Sequence, residues 1–289
     1  MPSENPKPAR VLVSGDIVGP VGVELLIRFL PLLRVHLQLD AVLANAENAH
    51  NGSGLSSGLF RKLRKAGIDL FTLGDHVYKR EDILADMEKE DCLCRPANYP
   101  SSAPGKPYAI CATKSLGQVA AISLLGRTFM KPVDCPFAAI DRLLPEIQTK
   151  AKMIFVDIHA EATADKYLMA HFLKGKVTAI LGTHTHVPTA DETLLEGGTA
   201  FQCDLGMTGP HDGILGRNTA PVLETNRTFR PNRFTVSEGD CRLSGALIEV
   251  DPASGKALSI KRVQWTAADL EKMLETQLGE SHQADSRAL

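Results

Sequence analysis

The amino-acid sequence predicts an α/β protein in which helices pack over sheets. Short β-branched, apolar runs alternate with longer amphipathic runs along the 289 residues, and two hairpin patterns interrupt the alternation. The composition agrees with a globular chain, because 44% of the residues are hydrophobic and 23% are charged. The length allows one large domain or two small ones.

The first part of the chain predicts three strands and two helices. The strands cover residues 10–14, 41–46 and 70–73, and the helices cover residues 21–37 and 55–65. Pro31 falls inside the first helix, so we expect it to kink or split that helix. Gly67 stands where the second helix should stop.

The second part predicts two more strands, with helical stretches before and between them, and two hairpins. The strands cover residues 153–158 and 178–181, and the hairpins pair 108–113 with 118–124 and 246–250 with 257–263. We expect residues 1–9 to form a flexible N-terminus and residues 10–265 to form a single domain. Residues 266–289 are expected to form a polar C-terminal tail with at most one short helix.

Composition and charge exclude several classes of protein. The net charge of −2 provides no general basic field for nucleic acid. The sequence lacks an uncharged apolar run long enough to cross a membrane, and its first residues lack the pattern of a signal peptide. Its six cysteines are spread thinly, which favours reduced thiols over a disulfide framework. These features predict a cytoplasmic protein with no membrane partner.

A residue type that commonly binds metals follows each of five predicted strands. These residues are Asp16, the pair Glu47 and Asn48, Asp75, His159, and the pair His184 and His186. Because binding crevices of α/β proteins lie beyond the carboxyl ends of the strands, we expect these side chains to meet at one edge. Asp16 alone could equally cap a helix. Together the seven candidates exceed the needs of one tetrahedral zinc and suit two metals bridged by a carboxylate.

The pair His184 and His186 is the strongest single signal, because residues i and i+2 of an extended segment point the same way. Mixed carboxylate, amide and imidazole donors favour iron, manganese or zinc over magnesium or copper. Two such metals lower the pKa of a shared water and neutralise the oxygens of a phosphate ester. His76, next to Asp75, is then a candidate general acid. The alternative is a hydrogen bond from His76 that orients a metal ligand.

A resemblance to a known family rests on five motifs: Gly15-Asp16, Glu47-Asn48, Gly74-Asp75-His76, His159-Ala-Glu-Ala-Thr163 and Gly182-Thr-His-Thr-His186. Together they resemble the YmdB-like branch of the calcineurin-like metallophosphoesterases. Four further blocks agree: Arg95-Pro-Ala-Asn98, Gly126-Arg-Thr-Phe129, Asp134-Cys-Pro-Phe137 and Asp204-Leu-Gly-Met-Thr-Gly-Pro210. A generic metallophosphoesterase carries Asp-x-His after its first strand, whereas this chain has Val18 at the third position, as this branch does. The resemblance covers residues 10 to 265.

The resemblance implies a four-layer α-β-β-α sandwich and a dinuclear phosphodiesterase that acts on diesters such as 2′,3′-cyclic nucleotides. A metal-activated hydroxide would attack the phosphorus and His76 would donate the proton. Two divalent ions are implied, with iron or manganese favoured and zinc as the alternative. The first ion would be held by Asp16, Glu47, Asn48 and His186. The second would be held by Glu47, Asp75, His159 and His184, so that Glu47 bridges the two.

One position departs from the family pattern, which has Gly-Asn-His where this chain has Gly74-Asp75-His76. The extra negative charge should weaken the Lewis acidity of its metal and tighten metal binding, so reduced or altered activity is a consequence to test. Asn98 and Arg127 are candidate substrate-binding residues, although Arg127 could equally pair with a carboxylate. Asp204 is expected at the end of a sixth strand, where it would support the site.

Three alternatives stay open at this point. The same metals could serve a phosphomonoesterase or a protein phosphatase, because the chemistry of the site is shared. The chain could instead be a weakly active, metal-bound regulatory protein that acts through an RNA-processing partner. A homo-oligomer is suggested only by the family resemblance.

Overall fold

A computed structural model describes residues 7–113, 115–273 and 275. Its strands in chain order are β1 (Ala9–Ser14), β2 (Asp16–Ile17), β3 (Ala41–Asn45), β4 (Leu70–Thr72), β5 (Leu93–Cys94), β6 (Ala109–Thr113), β7 (Gly117–Leu125), β8 (Met153–His159), β9 (Ala179–Thr183), β10 (Thr193–Leu195), β11 (Thr199–Gln202), β12 (Met207–Pro210), β13 (Cys241–Val250) and β14 (Ala257–Thr266). The helices are α1 (Gly19–His36), α2 (Ser57–Ala66), α3 (Leu84–Lys89), α4 (Pro136–Lys150), α5 (Thr163–Leu173) and α6 (Thr219–Thr228).

Two sheets form the centre of the described part of the chain. The first is eight-stranded, with the order β2-β12-β13-β1-β3-β4-β5 and with β14 paired to β13. The second is six-stranded, with the order β10-β11-β9-β8-β7-β6. Strands β1, β3 and β4 are parallel in the first sheet, as are β7, β8, β9 and β11 in the second. The carboxyl ends of parallel neighbours therefore share one edge in each sheet.

Apolar side chains fill the space between the sheets and beneath the helices. Phe71 from the first sheet and Phe155 from the second belong to one core, which also includes Leu26 and Leu30 of α1. A second core joins the outer face of the six-stranded sheet to α4 and α5, with Ile140 among its buried members. Strands buried on both sides read as continuous apolar runs, which explains sequences such as that of β3.

The layers therefore run helix, sheet, sheet, helix, which confirms the predicted four-layer α-β-β-α sandwich. Helix α2 ends as predicted, because Gly67 caps it in a left-handed conformation that glycine adopts without steric cost. Helix α1 is continuous through Pro31, so the split that was one of the two expected effects of this proline does not occur. The helix buries Leu26, Phe29, Leu30 and Leu33 against the core, and this packing outweighs the local effect of the proline.

The ends of the chain fall partly outside the described residues. Residues 1–6 of the predicted N-terminal segment and residues 276–289 of the predicted tail are not described. Within the predicted tail, residues 267–273 are helical and Leu270 is buried in the main core. All six cysteines are free, in agreement with the prediction of reduced thiols. Among the described residues, no helix is both long enough and apolar enough to cross a membrane.

Candidate metal centre

The carboxyl ends of the two sheets bring the predicted ligands together. The first sheet supplies Asp16 after β1, Glu47 and Asn48 after β3, and Asp75 after β4. The second sheet supplies His159 as the last residue of β8, and His184 and His186 after β9. The prediction that these strand ends meet is therefore matched by the described fold.

Four of these residues form a tight cluster. Glu47, Asp75, His159 and His184 each offer one ligand atom, and these atoms all lie within 4.8 Å of one another. His159 Nε2 is the centre of the group, at 3.1 Å from Glu47 Oε1, 3.4 Å from Asp75 Oδ1 and 3.1 Å from His184 Nδ1. Such a set of two carboxylates and two imidazoles suits a divalent transition metal.

The remaining candidates lie on the other side of Glu47. Asn48 Nδ2 lies 3.4 Å from Glu47 Oε1 and 3.2 Å from His186 Nε2. Asp16 is fully buried, and its Oδ2 accepts a hydrogen bond of 3.0 Å from the backbone nitrogen of His184. Glu47 thus lies between two groups of potential ligands, which is the position of a bridging carboxylate.

Unsatisfied buried oxygens show that the residues fit metal ions. Asp16 Oδ1 and Asp75 Oδ1 are both buried and lack a hydrogen-bond partner among the described residues, and the nearest cation to Asp75 Oδ1 is the His159 ring at 3.4 Å. A buried carboxylate oxygen without a partner is costly unless a cation compensates it. One such oxygen belongs to each of the two groups around Glu47, so the donor set is suited to two cations.

The electrostatics of the centre agree with cation binding. Burial opposes charge at Glu47, Asp75 and His159, but their mutual attraction prevails. It lowers the pKa of both carboxyls below their usual values and raises the pKa of His159 well above its usual value. Burial raises the pKa of Asp16 to about 6, against the opposing effect of His186. A divalent cation bound here would replace the proton on His159 as the positive charge of the site.

Gly74 is required by the close approach of two ligands. A Cβ atom at this position would overlap His159 Nε2 and Glu47 Oε2. The adjoining backbone nitrogen of His76 donates a hydrogen bond of 2.9 Å to Glu47 Oε2. The Gly74-Asp75-His76 loop therefore closes directly over the cluster and fixes one carboxylate oxygen of Glu47.

A buried network behind His159 was not predicted from the sequence. His159 Nδ1 lies 2.8 Å from Thr183 Oγ1, and that hydroxyl donates a hydrogen bond of 2.5 Å to Asp157 Oδ1. Asp157 Oδ2 also accepts hydrogen bonds from Asn45 and Thr72, across the space between the sheets. The sequence carried one signal of this network, because Asp157 interrupts an otherwise apolar strand.

The segment that carries His184 and His186 differs from the expectation of an extended strand. Both residues have positive φ angles, 95° for His184 and 65° for His186, so the segment is curled rather than extended. The two imidazoles consequently reach different neighbours: His184 contacts His159, whereas His186 contacts Asn48. The extended backbone expected for this pair was therefore wrong, and Asp204 binds the intervening Thr185 of the curled loop.

His76 lies at the rim of the centre, with its side chain 31% exposed. Its Nδ1 is 2.7 Å from Asn48 Oδ1 and 3.6 Å from Glu47 Oε1. The ring is therefore held beside the potential ligands, with Nδ1 as the donor to the amide oxygen.

The two predicted substrate-binding residues have different surroundings. Asn98 is fully buried, and its amide forms three hydrogen bonds to backbone atoms of Leu125 and Asp134, so it shapes a loop and does not reach the surface. Arg127 is exposed, and its guanidinium forms no ion pair with any described residue. Its loop lies beside the centre, because the neighbouring Gly126 nitrogen bonds the carbonyl of His159. Of these two side chains, only that of Arg127 is exposed.

Comparison with known proteins places this geometry in a family. The family described as YmdB-like protein matches residues 12–263, which include every candidate ligand. The chain belongs to the YmdB-like family. A YmdB-like relative is the 2′,3′-cyclic-nucleotide 2′-phosphodiesterase of Bacillus subtilis (strain 168), which is 40% identical over 255 residues. That match covers 88% of this chain and 96% of the relative.

Two solved structures share the YmdB-like fold of this chain. A hypothetical protein from Thermus thermophilus is 38% identical with a TM-score of 0.83, over 89% of this chain and 99% of that one. A structure titled as a novel phosphatase, from Mycoplasma pneumoniae, is 28% identical with a TM-score of 0.83, over 90% of this chain and 94% of that one. These matches confirm the family resemblance predicted from the motifs.

Proposed function

We propose that this phosphoesterase is a dinuclear, metal-dependent phosphodiesterase that hydrolyses 2′,3′-cyclic nucleotides. The observation that carries the proposal is the convergence of Glu47, Asp75, His159 and His184 within 4.8 Å. The name of the Bacillus subtilis relative supports the substrate class. One ion would be held by Asp16, Glu47, Asn48 and His186, and the other by Glu47, Asp75, His159 and His184. The donor types favour iron or manganese, with zinc as the alternative.

When bound in this site, divalent cations would supply a water of lowered pKa and would neutralise the phosphate oxygens. The protein contributes the arrangement around them. Glu47 keeps one oxygen toward His159 while the other accepts the backbone nitrogen of His76, so its orientation is fixed. The exposed guanidinium of Arg127 offers a planar set of donors that matches a phosphate group. We assign it to the phosphodiester of the substrate.

His76 is assigned as the general acid. Its Nδ1 donates to Asn48 Oδ1 over 2.7 Å, which fixes the ring and leaves Nε2 to protonate the departing oxygen. A ribose alkoxide is a poor leaving group without such a proton, whereas p-nitrophenolate leaves readily without one. If His76 is the general acid, its loss should slow hydrolysis of the cyclic nucleotide more than that of the p-nitrophenyl diester. If its role is purely structural, both substrates should be affected equally.

The test is steady-state hydrolysis of 2′,3′-cAMP and bis-p-nitrophenyl phosphate by the manganese-loaded protein. We expect His76→Ala to reduce turnover of the cyclic nucleotide about 10²- to 10⁴-fold and to affect the p-nitrophenyl diester much less. The matched control is His171→Ala, an exposed histidine on α5. Equal losses on both substrates would remove the acid assignment.

Further expectations concern the competing functions and the partner, oligomeric state and location of the enzyme. A phosphomonoesterase would prefer p-nitrophenyl phosphate over its diester, so the ratio of the two rates distinguishes these activities. A regulatory protein would bind two metals and turn over neither substrate. An RNA-processing partner, a homo-oligomer and a cytoplasmic location stay predictions. Size-exclusion chromatography with light scattering tests the oligomer.

A further inference from the structure

A buried ion pair lies next to the metal centre but contains none of its candidate ligands. Lys166 Nζ on α5 is 2.6 Å from Asp204 Oδ2, and the two side chains are only 0% and 1% exposed. Lysine is almost never fully buried, and such a pair often contributes little net stability because both charges lose their hydration. Asp204 was predicted near the site, whereas no pattern in the sequence pointed to Lys166.

Asp204 is bonded to the loop that carries two candidate ligands. Its Oδ2 accepts the backbone nitrogen of Thr185 at 3.2 Å and the Thr185 hydroxyl at 2.7 Å. Its Oδ1 accepts the backbone nitrogen of Gly206 at 2.8 Å. The backbone nitrogen of Asp204 in turn donates to Thr189 Oγ1 at 2.8 Å. Asp204 thus ties the His184–His186 loop, through Thr185, and the residues after it, through Thr189, to the segment that follows β11.

The loop adopts a conformation that is unfavourable without such support. His184 and His186 flank Thr185, and both have positive φ angles, a region that non-glycine residues enter at an energetic cost. This curled backbone sends His184 toward His159 and His186 toward Asn48. The same strained geometry therefore divides the two imidazoles between the two sides of Glu47.

We propose that Lys166 and Asp204 are positioning residues that act through Thr185 to hold His184 and His186 ready for two different metal ions. Lys166 Nζ holds Asp204 Oδ2 in place, and the same oxygen accepts both hydrogen bonds from Thr185. This inference rests on the proposed metal role of the two histidines. It differs from that role in assigning the preorganisation of the ligands to residues that touch neither metal nor substrate.

Two substitutions at Thr185 test the proposal most directly. Thr185→Val removes the hydroxyl at nearly constant shape, and Thr185→Ser retains it. The probe is Mn²⁺ alone, with its affinity and stoichiometry measured by titration calorimetry. We expect Thr185→Val to weaken binding about 10- to 100-fold, the usual cost of losing a partner behind a metal ligand, and Thr185→Ser to restore it. Thermal unfolding of the metal-free variants is the parallel readout, because a merely structural role would lower stability and leave Mn²⁺ affinity intact.

Lys166→Met tests the contribution of the Lys166 ammonium, which pairs with Asp204, and it has a matched control at the end of the same helix. Lys174, the residue that caps α5, forms a surface pair of 3.1 Å with Glu196. We expect Lys166→Met to weaken Mn²⁺ binding and Lys174→Met to leave it unchanged. If Lys166→Met does not fold, the two Thr185 variants still decide the matter. Wild-type affinity in Thr185→Val would overturn the inference, whereas a wild-type protein that binds no Mn²⁺ would instead overturn the proposed function.

Discussion

Thr183 Oγ1 lies 2.8 Å from His159 Nδ1. The hydroxyl accepts a hydrogen bond from Nδ1–H and donates its own hydrogen bond to the buried carboxylate of Asp157 at 2.5 Å. These two hydrogen bonds keep the proton on Nδ1 and turn Nε2 toward Glu47 and Asp75, which is the orientation that metal binding needs. The ring orientation of His159, a candidate metal ligand, is therefore fixed by residues that lie between the two sheets.

Replacing Thr183 by valine should weaken the metal centre. The variant loses the link between His159 and Asp157, so we expect Mn²⁺ affinity to fall about 10- to 100-fold. The free energy of unfolding should fall by about 1 to 3 kcal/mol, because buried polar atoms lose a partner. Thr178→Val is the control, since its buried hydroxyl bonds Gly255 and Ile154 away from the centre. Thr178→Val should lose stability but keep its Mn²⁺ affinity. Equal Mn²⁺ affinities in the two variants would contradict the proposed hydrogen-bond link from His159 through Thr183 to Asp157.

Adding a single methyl group at Gly74 should disrupt the site. A Cβ atom there overlaps His159 Nε2 and Glu47 Oε2, so Gly74→Ala must displace at least one of them. We expect Mn²⁺ affinity and diester turnover each to fall at least about tenfold. Gly58→Ala on α2 is the matched control, because nothing lies within 4 Å of its Cβ position. The control should be neutral or slightly stabilising, as alanine favours a helix. A fully active Gly74→Ala protein would show that the loop is not closely packed on the ligands.

Asp75 adds a second carboxylate to the cluster that Glu47, His159 and His184 form. Its Oδ1 lies 3.4 Å from His159 Nε2 and 3.8 Å from His184 Nδ1, so its charge acts directly on the cluster. We expect Asp75→Asn to weaken Mn²⁺ binding about tenfold and to increase diester turnover, because the metal becomes a stronger Lewis acid. Glu161→Gln removes a more exposed charge, 3.3 Å from His184 Nε2, and should have a smaller effect. Unchanged affinity and turnover in Asp75→Asn would refute the charge argument.

Metal binding should depend on pH through Asp16. Burial raises its pKa to about 6 from a usual value of 3.8. The metal-free folded state therefore holds a proton between about pH 4 and 6 that the unfolded state releases, so this group's contribution to stability is present below pH 4 and is lost as the pH rises through 6. The sign is opposite for the metal, which binds the carboxylate. From pH 5 to 7, Asp16 alone should tighten Mn²⁺ binding about tenfold.

The comparison that isolates this effect is the Mn²⁺ affinity of the wild type and of Asp16→Asn at both pH values. Asp16→Asn should bind Mn²⁺ more weakly than the wild type. The increase in its affinity from pH 5 to pH 7 should also be smaller than that of the wild type by a factor of about ten. Identical pH profiles would show that Asp16 does not compete with protons for the metal.

Local pattern predicted most of the architecture and the convergence of the candidate ligands at one edge of the sheets. The apolar runs of β3, β8 and β9 end where polar residues begin, and parallel pairing then places those ends together without further information. What could not be predicted depends on contacts between distant segments. The positive φ angles at His184 and His186 occur where Thr185 between them is bonded to Asp204, and α1 continues through Pro31 where its apolar face packs on the core. The roles of Lys166 and Thr183 could not be predicted, because their partners Asp204 and His159 come from distant segments of the chain.

The central claim is a pair of metal ions bridged by Glu47, and the most direct test is metal analysis joined to turnover. The protein, purified without an affinity tag, would be reconstituted with Mn²⁺, dialysed and analysed for metal, then assayed on 2′,3′-cAMP. We predict two equivalents of bound Mn²⁺ with hydrolysis of the diester, and loss of both metal and activity in Glu47→Gln. A wild-type protein that retains no metal, or a Glu47→Gln variant that retains two ions, would contradict the account.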